Sequence, residues 1–103
     1  MALTIRRRKS RSTLSLEGSA TIMEAEQLRD ALAECIDEWD GVRVDLLNVG
    51  DMDTAGMQVL VSASVTAGLL EKQFAVTRAS ESVTETCRLL GLESVPPFSD
   101  IPR

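Results

Sequence analysis

Residues 49–60, VGDMDTAGMQVL, place two acids, one hydroxyl and two glycines together against an apolar run. Asp51 and Asp53 are a carboxylate pair, and such pairs can hydrolyse glycosides. The hydroxyl of Thr54 could accept a phosphoryl group. The same residue types also cap helices, since Asp53 or Thr54 can accept hydrogen bonds from the first free N–H groups. Gly56 would then allow the first helical turn to approach a neighbouring strand closely.

The rest of the sequence argues against catalysis. Its 103 residues include no histidine and no tyrosine, which removes the most common general base and the usual Ser–His or Cys–His pair. There is no glycine-rich phosphate loop with its lysine and no metal-ligand spacing. With 3% aromatic residues the chain has little with which to line a sugar-sized cleft. We therefore expect no enzyme, no cofactor and no metal, and a segment 49–60 that another protein acts upon.

The elements that position this segment follow from hydrophobic periodicity. Two short alternating runs around a polar break predict a hairpin, and apolar spacings of three and four predict helices. The pattern predicts, in chain order, a hairpin over 2–18, a helix over 21–39, a strand over 41–49, a helix over 54–72, a strand over 73–79, a helix over 80–92 and a short strand or ordered tail over 93–103. Alternating strands and helices imply parallel neighbours. The expected fold class is α/β: one domain, 1–103, with a small mixed sheet and helices packed against it.

Three local features refine this prediction. Thr21 followed by Glu24 is a capping box, which predicts that the first helix begins at Thr21. The strand 41–49 has apolar residues on both faces and is expected to be covered on both sides, or nearly so, which leaves residues 51–54 on an exposed turn. The outer face of the first helix is acidic, and it is either a solvated face or a docking surface for a basic partner.

The charge of the chain is unevenly distributed. Residues 1–11 contain five basic residues and no acid, whereas the remainder carries the 16 acidic residues and a strong negative excess. An acidic body repels nucleic acid and anionic lipid, so we expect neither nucleic-acid binding nor direct membrane insertion. The basic run is interpreted as a charged edge that discourages strand pairing, with nucleic-acid binding as the alternative. The sequence shows no secretory signal pattern, which favours the cytoplasm.

The run VDLLNVGDMDTAGMQVL resembles the central motif of STAS domains, the fold of anti-sigma factor antagonists and of sulfate-transporter tails. The segments LSLEG and CRLLGL agree with it, and the resemblance spans about residues 13–93. It implies a STAS-like fold and a regulatory protein-interaction module with Thr54 as the phosphorylated residue. It also implies an anti-sigma factor or serine/threonine-kinase-like partner. The implied partner-binding residues are Asp51, Asp53, Thr54, Ala55, Gly56, Met57 and Gln58.

The sequence also departs from the antagonist pattern. Gly18 is not followed by the acidic pair that antagonists often carry, and Ala55 replaces a second hydroxyl. The chain ends soon after Leu92, without the final long helix of many antagonists. The DTAG motif, with Gln58 nearby, is more similar to STAS proteins that accompany lipid-transport ATPases or chemotaxis clusters. In that alternative the partner is a transporter ATPase subunit or a signalling assembly, and Thr54 is a contact that is not phosphorylated.

Overall fold

The strands and helices follow one another in the predicted order. The computed structural model describes residues 2–101. Within them lie β1 (Leu3–Arg8), β2 (Thr13–Ala20), α1 (Ala25–Glu38), β3 (Gly41–Met52), α2 (Thr54–Leu69), β4 (Gln73–Ala79) and α3 (Glu81–Leu89), with short 3-10 turns at Lys9–Arg11 and Phe98–Asp100. None of the helices in this part of the chain has the length and hydropathy that a membrane span requires.

The four strands form one mixed sheet in the order β1-β2-β3-β4. β1 and β2 are the predicted antiparallel hairpin, and β3 runs parallel to both β2 and β4. The parallel pairs are joined through helices, as crossover connections require. This α/β arrangement confirms the predicted fold class. Because parallel strands end at the same edge, the carboxyl end of β3 meets that of β2, where Ala20 pairs with Met52.

The core lies between one face of the sheet and the helices, and it is mostly aliphatic. Leu14, Leu16, Val44 and Leu46 contribute the buried side of the two central strands. From the helices come the fully buried Leu28, Leu32, Met57 and Leu60. Burying a side chain of this size contributes roughly 1.5–3 kcal/mol relative to leaving it exposed, so this face holds the layers together.

The expectation that β3 is covered on both sides was wrong for its first half. Val42, Val44 and Leu46 are buried, whereas Arg43 and Leu47 on the other side are exposed. The helices cover the side of β3 that carries Val42, Val44 and Leu46, and the start of α3 also contacts the later half of the strand, where Ser80 Oγ donates to the Val49 carbonyl at 2.6 Å. An alternating apolar and polar pattern is typical of a sheet with one solvated face.

Several boundaries also differ from the sequence prediction: β3 continues to Met52 instead of ending at 49, α2 ends at Leu69 instead of 72, and α3 spans Glu81–Leu89 instead of 80–92. α1 begins at Ala25 rather than at Thr21, because β2 continues through Ala20 and the chain needs residues 21–24 to turn. Of the two alternatives for the tail, residues 93–101 form an ordered tail with a 3-10 turn and not a strand, and this tail inserts Phe98 into the core. The last two positions of the tail prediction, 102 and 103, lie outside the described residues.

Candidate functional site

Asp53 caps α2 and ties two parts of the chain together. Its backbone is extended, and its Oδ1 accepts a hydrogen bond from the Gly56 N–H at 3.1 Å, as a helix N-cap should. Its Oδ2 accepts a second hydrogen bond, from the Ile22 N–H at 3.0 Å. One carboxylate therefore fixes both the start of α2 and the turn that leads into α1. The sequence predicted the first bond; the second depends on a long-range approach that spacing does not reveal.

Gly56 allows the first turn of α2 to sit directly on the sheet. A methyl group at this position would collide with the Ala20 carbonyl oxygen and with Met52 Sδ. This close approach confirms the interpretation of Gly56 from the sequence. The beginning of α2 therefore packs against the ends of β2 and β3 and is capped by Asp53.

Thr54 is the first residue of α2, and its side chain is exposed. Its hydroxyl makes no hydrogen bond with any group of residues 2–101. The helix N-terminus supplies a partial positive charge next to it. The hydroxyl is therefore accessible to a modifying enzyme, and the local fold does not use it.

The other residues of the predicted site fall into two groups. Asp51 lies in β3 rather than in the turn where the sequence had placed it, but it is exposed, as is Gln58 one helical turn beyond Thr54. Ala55 is half-buried. Gly56 and Met57 lie inside the protein, where they can position the surface but not contact a partner.

The turn Thr21–Glu24, whose first and last residues were predicted to form a capping box, lies next to Asp53, and its place in the same surface was not identified from the sequence. Ile22 and Met23 are 68% and 83% exposed. They lie next to the Asp53 carboxylate, which accepts from the Ile22 N–H and also caps α2. The turn is held by Glu24, whose carboxylate accepts from the Thr21 N–H at 3.1 Å and from the Thr21 hydroxyl at 2.8 Å. These two bonds lower the pKa of Glu24, and the bond from the Thr21 backbone N–H has the larger effect. One signal in the sequence could have revealed this turn. Ile22 and Met23 do not fit the apolar face of α1, which indicates that they lie before the helix begins.

α2 itself is unusual for a helix at the surface, since its 16 residues include no charged side chain. Its outer positions carry polar uncharged residues and exposed Val65 and Leu69. A helix that is apolar on all sides is normally buried. The outer side of α2 therefore combines exposed apolar side chains with polar uncharged ones and carries no charge.

A groove of about 360 Å³ separates α1 from α2. Ala55 and Gln58 line the end near Thr54, and Leu32, Ile36 and Ala63 line the apolar remainder. Arg29 is the charged residue in its wall. In residues 2–101 no group of three or more acidic, cysteine or histidine side chains could hold a metal ion. The site is therefore an apolar groove beside the exposed Thr54 side chain, and the exposed hydroxyl residues Ser62 and Thr66 lie farther along its wall.

Known proteins resemble this chain in sequence pattern and in fold. The protein-family model described as "Mlab, STAS domain" matches residues 3–97. No curated protein matches the chain by sequence.

Three solved structures are similar to this one. An anti-sigma factor antagonist from Mycobacterium paratuberculosis shares 20% identity and a TM-score of 0.79, over 96% of this chain and 90% of that one. The anti-sigma factor antagonist SpoIIAA in its unphosphorylated form shares 14% identity and a TM-score of 0.73, over 98% and 86%. The Bacillus cell fate determinant SpoIIAA in its phosphorylated form shares 14% identity and a TM-score of 0.66, over 91% and 87%. At these identities the likeness shows a shared fold.

Proposed function

The chain belongs to the STAS domain family, and on that premise we propose that it is a regulatory protein-interaction module in which a phosphate on Thr54 controls the binding of a partner. The partner covers the start of α2 and the exposed part of the turn Thr21–Glu24. Thr54 is the first residue of α2, and Asp53, directly before it, accepts a hydrogen bond from the Ile22 N–H of that turn. Asp51 and Gln58, which are close to Thr54 in sequence, are exposed as well. The observation that carries the proposal is the exposed Thr54 hydroxyl, unused by the fold, at a helix start that Asp53 and Gly56 hold rigidly in place.

Charge supplies the mechanism of the switch. A phosphate on Thr54 adds about −1.5 to −2 charges at neutral pH. The N-terminus of α2 favours that charge by roughly 0.3–1 kcal/mol, so the modified domain stays folded. A partner that buries the surface must instead desolvate the phosphate beside the carboxylates of Asp51 and Asp53. A net loss of about 3 kcal/mol would weaken binding about a hundredfold.

The similar structures suggest the kind of partner. Two of them are anti-sigma factor antagonists, and SpoIIAA exists in unphosphorylated and phosphorylated forms. For this chain we accordingly propose an anti-sigma factor or a serine/threonine-kinase-like protein, acting in the cytoplasm, where ATP is available. The role of the chain is binding rather than catalysis, which agrees with a sequence that has no histidine or tyrosine.

A second candidate is a constitutive subunit of a lipid-transport ABC complex or of a chemotaxis-type signalling assembly. The charge-free α2 with its exposed Val65 and Leu69 favours it, because permanent interfaces are more apolar than transient ones. In this case the Thr54 side chain packs against a transporter ATPase subunit or a signalling protein. No phosphate is then added to it.

Phosphorylation distinguishes the two candidates. The purified protein is incubated with an extract of its native cell and ATP, and its intact mass and phosphopeptides are measured. A switch predicts one added phosphate in the wild type, located on Thr54 and lost in Thr54→Ala but kept in Thr84→Ala. Thr84 is the matched control, since it is an exposed threonine near the start of α3. A phosphate on another residue, or on none, refutes the switch.

A further inference from the structure

The basic run at the start of the chain is divided by strand alternation between the two faces of the sheet. Arg7 turns to the helix side, where it contacts Glu34 at 3.3 Å and Glu38 at 2.9 Å and lies over the Trp39 ring at 5.5 Å. This arginine holds β1 against α1. Arg6 and Arg8 lie on the opposite face, because successive side chains of a strand alternate.

Arg6 and Arg8 join other arginines on the face that no helix covers. The register places Arg6, Ser15, Asp45 and Arg78 in one row across the four strands. Arg8, Thr13 and Arg43 form the next row, and Arg11 lies at its end in the 3-10 turn. We call this surface, defined by Arg6, Arg8, Arg11, Arg43 and Arg78, the arginine face.

The charges on the arginine face are only partly compensated. Arg78 donates two hydrogen bonds to Asp45, and Arg6 lies 4.0 Å from Glu17. Burial opposes the ionisation of Asp45, but the bonds from Arg78 and from the Leu47 N–H outweigh it and lower the pKa of this carboxyl. Arg8, Arg11 and Arg43 have no acidic partner among residues 2–101. Neighbouring like charges repel, so grouping Arg8, Arg11 and Arg43 together adds no stability to the sheet.

Protection of a sheet edge does not account for the whole cluster. Charged residues on β1 and β4 discourage pairing at the two edges. Arg43, however, lies on β3, which is paired on both sides. A cleft of about 340 Å³ is lined by Arg6, Arg8, Arg11 and Arg78 together with Thr13 and Ser15. Arg43 does not line the cleft but pairs with Thr13 in the sheet. Glu17 and Asp45 also line the cleft, where they pair with Arg6 and Arg78, so its four arginines outnumber its two carboxylates.

We propose that the arginine face binds an extended acidic peptide segment of a protein, at a site separate from the start of α2. Guanidinium groups form paired hydrogen bonds with carboxylates, and hydroxyls can bind the peptide backbone between them. A nucleic acid fits less well, since the face has no aromatic side chain for base stacking and the whole chain carries a net charge of −5. A lipid surface fits less well, because no exposed apolar side chain accompanies the arginines in the cleft.

The test measures binding of a fluorescein-labelled decaglutamate peptide by fluorescence anisotropy at low ionic strength. Arg6→Thr/Arg8→Thr keeps residues that suit a strand. Its matched control, Arg29→Thr/Arg88→Thr, makes the same change in net charge on exposed arginines of the helices. We expect saturable binding by the wild type, about tenfold weaker binding by the first variant, and less than about twofold change in the control. Thr54→Glu should bind the peptide as the wild type does, which separates this proposal from the switch.

A measurement on the unmodified protein covers the case in which the double variant does not fold. On addition of the peptide, the amide resonances of β1 and of Thr13, Ser15 and Arg78 should shift, while those of α2 should not. The proposal is overturned if the wild type does not bind the peptide, if both double variants lose affinity equally, or if the shifts fall on α2. It is also overturned if a decathymidylate oligonucleotide or vesicles containing phosphatidylserine bind this face more tightly than the peptide.

Discussion

Replacing Asp53 by alanine should destabilise the protein by about 2 kcal/mol. The substitution removes two hydrogen bonds at once. Loss of the N-cap bond to the Gly56 N–H at 3.1 Å costs about 1 kcal/mol. Loss of the bond from the Ile22 N–H at 3.0 Å costs about another 1 kcal/mol, since that N–H keeps access to water. For a domain of this size the sum corresponds to a fall in Tm of roughly 10 °C.

Serine at position 53 separates the two contributions. Its hydroxyl can still accept from the Gly56 N–H but cannot serve Ile22 as well, so Asp53→Ser should cost about half as much, roughly 1 kcal/mol. Asp51→Ala is the control. Asp51 is an exposed acid two residues earlier, and its loss should change the stability by less than about 0.5 kcal/mol.

Urea unfolding followed by tryptophan fluorescence measures these differences. Trp39 is the single tryptophan and is 4% exposed, so its emission reports loss of the core around α1. Two results would refute the reasoning. One is an alanine variant as stable as Asp51→Ala, which would mean that neither bond matters. The other is an equal loss for serine and alanine, which would mean that the cap contributes nothing.

Other predictions concern the same fold. Gly56→Ala should destabilise the protein by about 1–3 kcal/mol, because the added methyl group collides with the Ala20 carbonyl oxygen. Gly68→Ala, at an open position on α2, should stabilise it by up to about 1 kcal/mol, and equal effects of the two substitutions in urea unfolding would contradict this. The lowered pKa of Asp45 contributes stability that is present above the ordinary carboxyl pKa and is lost as the pH falls towards the folded-state value. Acid titration of the unfolding free energy should therefore be shallower in Asp45→Asn, and an unchanged slope would count against the ion pair with Arg78. Lys72 donates to the last carbonyls of α1, at 2.5 Å for the nearest; Lys72→Met should cost about 1 kcal/mol in thermal unfolding, and no fall in Tm would contradict this role.

Local chemistry made the strand-to-helix junction predictable. Asp53, Thr54 and Gly56 are adjacent in sequence, and the cap and the close approach depend on neighbours that the strand pattern already implies. The order of the elements was predictable for the same reason, since periodicity reports which side of each element is buried. The hairpin followed from Leu3 and Ile5 alternating with polar residues before the break at 9–12.

The features that sequence reasoning missed depend on long-range placement. The bond between Ile22 and Asp53 joins residues 31 positions apart, and only the pairing of Ala20 with Met52 brings them together. Leu47 was interpreted as evidence of cover on the second face of β3. The alternation that buries Val42, Val44 and Leu46 continues through Leu47, which therefore points to the opposite face and stays exposed. A few apolar residues in a strand do not show whether an element exists to cover them.

The arginine face was also missed because it depends on long-range placement. The run RRRKSR was considered as a unit, although the strand divides it: Arg7 packs against Trp39, and Arg6 and Arg8 lie on the opposite face. Arg43 and Arg78 are distant in sequence, and only the sheet register shows that they share this face. Charge patterns along a chain therefore need the register before they define a surface.

The central claim is that charge at Thr54 decides which proteins bind. Its most direct test is quantitative capture of partners from the native cell by immobilised wild-type protein, Thr54→Glu and Thr84→Glu, after thermal unfolding has shown that all three are folded. We expect Thr54→Glu to recover a specific partner at least about tenfold less well than the wild type, and Thr84→Glu to recover it equally well. Equal recovery by all three proteins would contradict it.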